Sequence, residues 1–345
     1  MNFDFDENQT LFKDTVDRFC APVDIATRTK MRRMPEGFDR ARWVELAELG
    51  MIGLAATEAD GGLGGSALDC AVVAQALGNG LAVEPWLECA FLPAKLLAGT
   101  PHLAAVVDGN SIATLAFAEA AGRYTLDARA VSVRAGKLSG EKRFVLSAAA
   151  VDLFIVTANV DGDTHLFAVP RDAIGVDVRL YPVTDGSLAG VVTFRDVAVD
   201  VPFAGMDRLL SAIDETRLIA AAEMVGAAQR LFADTLDYVK TREQFGKPLG
   251  SFQVIQHRMV DVYSKCEGMQ SALYRALLQP DSNAESVKAF IAEEAIWVGQ
   301  QAVQLHGGMG MTDELGISHA LKRILLLSKL FGDPASGYAQ LAKAA

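Results

Sequence analysis

The sequence is poor in several features that mark common protein classes. Its 4 cysteines in 345 residues are Cys20, Cys70, Cys89 and Cys266, widely spaced and without a CxxC pair. That argues against a metal or thiol redox motif and for buried free thiols in a reducing compartment. Positive charge is in deficit: 32 Lys and Arg face 43 Asp and Glu, a net charge of −11. Nucleic acid and anionic membrane surfaces need a basic footprint, so neither is expected as a partner. The longest apolar stretch, Phe144 to Val160, is interrupted by Ser147 and Asp152 and is too short and polar to span a bilayer. The first residues, Met1 to Glu7, lack the basic and apolar segments of a signal peptide. A cytoplasmic protein with no integral membrane segment is expected.

Apolar material is plentiful. Hydrophobic residues make up 51% of the chain and charged residues 22%, enough for two or three packed units. Residues 7–100 read as helical: Leu11, Phe12, Val16 and Phe19 recur at helical spacing, and Trp43, Leu46, Leu49 and Ile52 continue the pattern to Gly50 and Gly53. The stretch Glu58 to Gly65 holds four glycines. It has no preceding strand and no Lys-Ser/Thr, so it reads as a tight connector rather than a P-loop. From Ile112 to Phe194 the pattern changes to short β-type runs separated by Gly, Asp and Asn, which predicts an antiparallel domain of six to eight strands. Beyond Arg208, residues 216–240, 252–278, 286–305 and roughly 314–331 read as four long helices in an up-and-down bundle. The expected fold is α+β and multi-domain: a helical segment 1–110, a β segment 111–207 and a C-terminal four-helix bundle 208–345.

Two segments carry the chemistry. The first is Thr241-Arg242-Glu243-Gln244-Phe245-Gly246-Lys247-Pro248-Leu249, followed by Phe252-Gln253 and Gln256-His257. A guanidinium can grip phosphate oxygens and a phenyl face can stack on a base. Equally, this is an ordinary helix end with a solvated Arg and a core Phe. The second is Gln304-Leu305-His306-Gly307-Gly308-Met309-Gly310-Met311. Its glycines suit either a helix C-cap or close approach of backbone to a ligand.

Together, in this order and about sixty residues apart, the two segments resemble the flavin-dependent acyl-CoA dehydrogenases, and the helix–β–helix order extends the resemblance to the whole chain. The resemblance implies FAD as cofactor, an acyl-CoA substrate and α,β-dehydrogenation of its thioester, with an electron-transfer flavoprotein as acceptor. It implies that Arg242, Phe245, Gln253, Gln304, Gly307, Gly308 and Gly310 contact the FAD of a neighbouring subunit. Arg217 matches the arginine at the substrate end of the flavin, where a cation stabilises a developing enolate. The family's catalytic glutamate is absent from both its usual positions, which hold Phe331 and Thr216. Glu215 and Glu223 are candidate replacements, although a one-residue shift on a helix turns a side chain by about 100°. The flavin-facing segment has drifted to Ala118-Glu119-Ala120-Ala121-Gly122-Arg123-Tyr124-Thr125, and Arg123 is a candidate for a CoA phosphate or a solvated residue. The pattern resembles in particular the small subunits of dicarboxylyl-CoA and steroid side-chain members of the family. Two readings follow: an active homo-oligomer with an unusual base, or a catalytically incomplete subunit completing the FAD site of a base-bearing paralogue in a heterotetramer.

Overall fold

The protein is described from a computed structural model covering residues 5–21, 23–122, 124–279 and 283–344. Arg123, a candidate phosphate contact, lies outside the described residues.

The N-terminal helices are α1 (Glu7–Cys20), α2 (Ile25–Arg32), α3 (Arg40–Glu48), α4 (Ala67–Asn79), α5 (Leu92–Leu96) and α6 (Leu103–Val107). The first begins at a capping box: the Asp6 carboxylate accepts from the Gln9 amide at 2.8 Å, and the Gln9 side chain accepts from the Asp6 amide at 3.2 Å. A π-helical turn, Leu87–Phe91, leads into α5. The strands follow: β1 (Ala113–Ala116), β2 (Ser132–Arg134), β3 (Lys137–Leu146), β4 (Leu153–Val160), β5 (Asp163–Pro170), β6 (Val176–Pro182), β7 (Leu188–Ala198) and β8 (Ala204–Gly205). The long helix α7 (Met206–Thr241) is followed by a small hairpin of β9 (Glu243–Gln244) and β10 (Lys247–Pro248). Helices α8 (Gln253–Leu278), α9 (Ala284–His306), α10 (Gly316–Lys329) and α11 (Pro334–Ala344) complete the chain.

Packing groups these elements into two units, each discontinuous in sequence. One comprises residues 31–66 and 83–216, the other residues 1–30, 67–82 and 217–345. The three consecutive segments read from the sequence follow the order of helix and strand; the contacts partition the chain differently.

The first unit holds the sheet, in the order β6-β7-β3-β2-β4-β5-β8, with β1 also paired to β4. Most pairings are antiparallel, but β1 runs parallel to β4 from Ala113↔Leu153 to Ala116↔Val156, so the sheet is mixed rather than purely antiparallel. Strand β4 is buried from Leu153 to Ala158, which is why it reads as a continuous apolar run. Strand β6 is an edge with mostly accessible residues, and its polar composition hid it from the sequence reading.

In the second unit α4 and α7 pack backbone to backbone at a pair of glycines. A Cβ on Gly78 would stand 2.1 Å from the Glu223 carbonyl, and one on Gly226 would stand 1.9 Å from the Gln75 carbonyl. No side chain fits at either position. Helix α7 starts ten residues before the expected Thr216, because Met206 to Glu215 continue the helix without a breaker. Helix α11 was not anticipated; Asp333 caps its first turn, accepting from the Ser336 amide at 2.9 Å. No helix among the described residues is long and apolar enough to cross a membrane. All four thiols are unbridged and buried, and burial pushes that of Cys266 up to about 12.

Candidate functional site

The end of α7 turns directly into the β9–β10 hairpin. The Arg242 amide donates to the Tyr238 carbonyl at 2.8 Å, and the Leu249 amide donates to the Arg242 carbonyl at 2.8 Å, which closes the hairpin at its base. Gln244 pairs with Lys247, so Phe245 and Gly246 form a two-residue turn. Both have positive φ, 57° and 78°, as a tight hairpin turn of this twist requires. Glycine adopts that geometry freely, whereas a bulky residue there costs about 1–2 kcal/mol. The Phe245 ring is 91% exposed. A phenylalanine held in a left-handed conformation and turned into solvent is not a core residue. Beside it, the rings of Phe245 and Phe252 meet edge to face at 6.2 Å, and the Lys247 ammonium lies 4.3 Å over the Phe252 ring. Arg242 and Gln253 are exposed.

The glycine segment lies at the same end of the bundle. Leu305 belongs to a buried cluster with Val239 and Met259, against which Tyr238, Leu249 and Ile255 pack. Tyr238 of α7 stacks on His306 of α9, with centroids 4.2 Å apart and 23° between planes. These contacts bring residues 238–255 beside 304–311. Helix α9 ends at Gly307 (φ 63°), and Gly307 to Met311 form a 3-10 turn. Gln304, Gly307 and Gly308 are exposed, while Gly310 is buried. A Cβ on Gly308 would meet nothing within 4 Å. Packing within this chain therefore does not require glycine there, and bare backbone is left open to an approaching group. A guanidinium, an accessible aromatic face, two side-chain amides and open backbone suit the diphosphate and adenine of a dinucleotide as one half of a site.

The carboxylate candidates are engaged elsewhere. Glu215 lies 2.9 Å from the Lys95 ammonium. Glu223 is buried and receives Arg323 through two bonds, at 2.6 and 3.2 Å. Thr216 is buried and donates to the Ala212 carbonyl at 2.6 Å. Phe331 is 4% exposed and has φ 56°. Its carbonyl accepts from Arg217 Nε at 2.9 Å, and the Arg217 guanidinium also lies 3.4 Å from Glu285. Arg217 is the twelfth residue of α7, well inside the helix rather than at its start.

Two further buried arrangements, around Lys288 and around Glu119, gave no signal in the sequence. Lys288, 2% exposed, donates to the carbonyls of Gly332 at 2.7 Å and Ser328 at 3.3 Å. Burial, helped by the nearby Arg217, brings its pKa down to about 7. Glu119 accepts backbone hydrogen bonds from Arg129, Ala130 and Val131 at 3.0, 2.7 and 3.1 Å, and lies 2.8 Å from Lys142. Burial raises the Glu119 pKa, but these partners outweigh it and leave the carboxyl below its ordinary value. Lys142, fully buried, also donates to the Phe117 carbonyl and the Thr157 hydroxyl, and burial holds it at about 8. A single acid and a single base 23 residues apart leave no local pattern to read. Among the described residues no cluster of three or more His, Cys, Asp or Glu side chains could hold a metal.

Comparison with known proteins bears on the family and the fold. A model of the acyl-CoA dehydrogenase N-terminal domain matches residues 6–100, and one of the acyl-CoA dehydrogenase C-terminal domain matches residues 204–345. The chain is 30% identical over 305 residues to acyl-CoA dehydrogenase IpdE2 of Mycolicibacterium smegmatis, covering 86% of each protein. It is similar to the ChsE4-ChsE5 complex of Mycobacterium tuberculosis, with TM-score 0.90, 25% identity and coverage of 99% of this chain and 98% of that one. It is also similar to the FAD complex of PigA, with TM-score 0.87, 25% identity and coverage of 100% and 99%.

Proposed function

Because the chain belongs to the acyl-CoA dehydrogenase family, we propose that it serves FAD-dependent α,β-dehydrogenation of an acyl-CoA thioester as the incomplete member of a heteromeric enzyme. FAD, when bound, supplies the acceptor for the β-hydrogen. The residues of this chain grip its adenosine diphosphate half: Arg242 on the phosphates, Phe245 against the adenine, Gln253 and Gln304 as amide partners, and the Gly307–Gly308 backbone in close approach. Gly310 sits beneath, where a Cβ would come within 3.0 Å of the Val303 backbone. The observation that carries the reading is the Phe245 ring, 91% exposed on a left-handed turn beside the open glycine segment. Strain and exposure of this kind persist at sites completed by a ligand or partner.

The heteromeric part of the proposal rests on the missing base. Removal of the α-proton needs a carboxylate with raised basicity beside the thioester. The two usual positions hold Phe331 and Thr216, both buried. Glu223 is tied to Arg323, and Glu215 is neutralised by Lys95. A base-bearing paralogue supplies the carboxylate; similarity to the two-component ChsE4-ChsE5 complex supports a heteromeric assembly. Arg217, held by Glu285, serves as an auxiliary cation at the substrate end. The substrate class is a fatty, dicarboxylic or steroid-type thioester, the electron acceptor is an electron-transfer flavoprotein, and the compartment is the cytoplasm.

The test is flavin absorbance of the chain purified alone and with its genomic neighbour. FAD retained only by the complex, at about one per two chains and bleached by acyl-CoA, supports the proposal. Unit FAD on the lone chain, bleached by acyl-CoA, overturns the heteromeric part. No FAD in either preparation overturns the whole.

A further inference from the structure

The segment leaving the glycine turn is held by a buried pair remote in sequence. Arg28 Nη1 lies 2.8 Å from Nδ1 of His319 on α10, and Nε2 of His319 lies 3.0 Å from the Asp313 carbonyl. Arg28 is 2% exposed and His319 is 7% exposed. A guanidinium only donates, so Nδ1 must accept; a carbonyl only accepts, so Nε2 must carry the hydrogen. The two bonds together demand one tautomer of the neutral ring. Arg28 is fixed in turn, because its Nε donates to the Leu81 carbonyl at 2.9 Å. The segment is tied at neighbouring points: Ser318 Oγ donates to the Thr312 carbonyl at 2.8 Å, and the Thr312 amide donates to the Met309 carbonyl at 3.2 Å. A continuous path thus runs from Arg28 through the ring to Asp313, two residues beyond the turn.

We infer that Arg28 and His319 form a positioning latch for the Gly307–Met311 turn: the neutral ring passes the hold of Arg28 on to the Asp313 carbonyl, and a proton on Nδ1 releases it. The functional consequence, pH-dependent retention of FAD, rests on the reading of that turn as an FAD contact. Protonation removes the acceptor and sets imidazolium against guanidinium. The charged groups facing the ring are Arg28 from α2, Asp313 from the loop and Lys322 from its own helix. Asp234 of α7 reaches the same loop, 3.7 Å from where a Cβ on Gly316 would stand.

Burial, with a smaller contribution from Arg28, holds the His319 pKa below its ordinary 6.5. A depressed histidine leaves the fold unpenalised above the unfolded value, and stability is lost as pH falls through the folded one. The latch is therefore closed at neutral pH and opens on acidification.

The experiment uses the full chain, labelled with 15N, and its FAD-loaded assembly. Imidazole spectra report the tautomer, and hydrogen exchange, corrected for intrinsic rates, reports protection of residues 307–316 at about pH 7.5 and about pH 5.5. The wild type is expected to carry the hydrogen on Nε2 and to lose protection at the lower pH. His319→Gln can accept from Arg28 and donate to Asp313 without titrating; it is expected to keep its protection at both pH values. A hydrogen on Nδ1 at neutral pH, or the same acid response in His319→Gln, overturns the latch. FAD dissociation, followed by fluorescence, is expected to quicken on acidification in the wild type and not in the variant. The expected exchange response with FAD dissociation unchanged keeps the latch and overturns the turn's assignment as an FAD contact.

Discussion

Arg217 Nε donates to the carbonyl of Phe331 at 2.9 Å, across 114 residues of sequence. Together with Lys288 on the Gly332 carbonyl, it fastens the turn at Phe331 and Gly332. Phe331 and Gly332 have positive φ, 56° and 121°, so successive carbonyls point inward at cations. The turn is a carbonyl-lined seat for the Arg217 guanidinium and the Lys288 amine.

Lys288→Met removes the donor to two buried carbonyls, and an unsatisfied buried acceptor costs about 1–3 kcal/mol. Because the Lys288 pKa is depressed to about 7 from 10.5, the charged lysine is penalised in the folded state at low pH. The advantage of the wild type over the variant should therefore grow as pH rises from about 7 toward 10.5. Urea denaturation across that window measures it; a difference independent of pH refutes the assigned titration.

Glu119 and Lys142 should behave as one unit. Removing either member of a buried pair costs about 3–5 kcal/mol, and coupled residues show interaction energies of about 0.5–3 kcal/mol. Glu119→Gln with Lys142→Met should thus destabilise by less than the sum of the single changes. Additive effects in denaturant melts would mean that Glu119 acts through its three backbone amides alone.

Phe245→Ala should leave stability within about 0.5 kcal/mol, since the ring has so little cover. Loss of an aromatic stack worth about 0.5–1.5 kcal/mol should weaken FAD retention by about two- to tenfold in the assembled enzyme. A fluorescence titration reads the second effect and a thermal melt the first. A large drop in melting temperature with unchanged FAD affinity would return Phe245 to a packing role.

Glu223→Gln should destabilise by about 3 kcal/mol, because it takes the carboxylate away from a buried guanidinium. The pH profile of acyl-CoA-dependent flavin bleaching should not shift. A shifted profile with intact stability would restore Glu223 as a base.

Much of the architecture was legible because helix and strand periods differ wherever a run is apolar and long enough to register, as in β4 and α8; the polar edge strand β6 and helix α11 did not register. The start of α7 was not, since Met206 to Glu215 carry no cap signal against which to set a boundary. The two motif segments were legible as a family pattern. Their proximity was not: it depends on Tyr238 stacking on His306 and on Leu305 joining the Val239 cluster.

The sequence alone determined the succession of helices and strands, the family pattern of the two motif segments and the absence of a glutamate at positions 216 and 331. Those are properties of residue type and spacing, fixed before any packing occurs. Tertiary structure decided which charges neutralise one another: Glu215 with Lys95, Glu223 with Arg323, Glu119 with Lys142. It also decided that Phe245 faces solvent while Phe331 is buried. Pairing and burial depend on three-dimensional distance and water exclusion, which residue spacing along the chain does not encode.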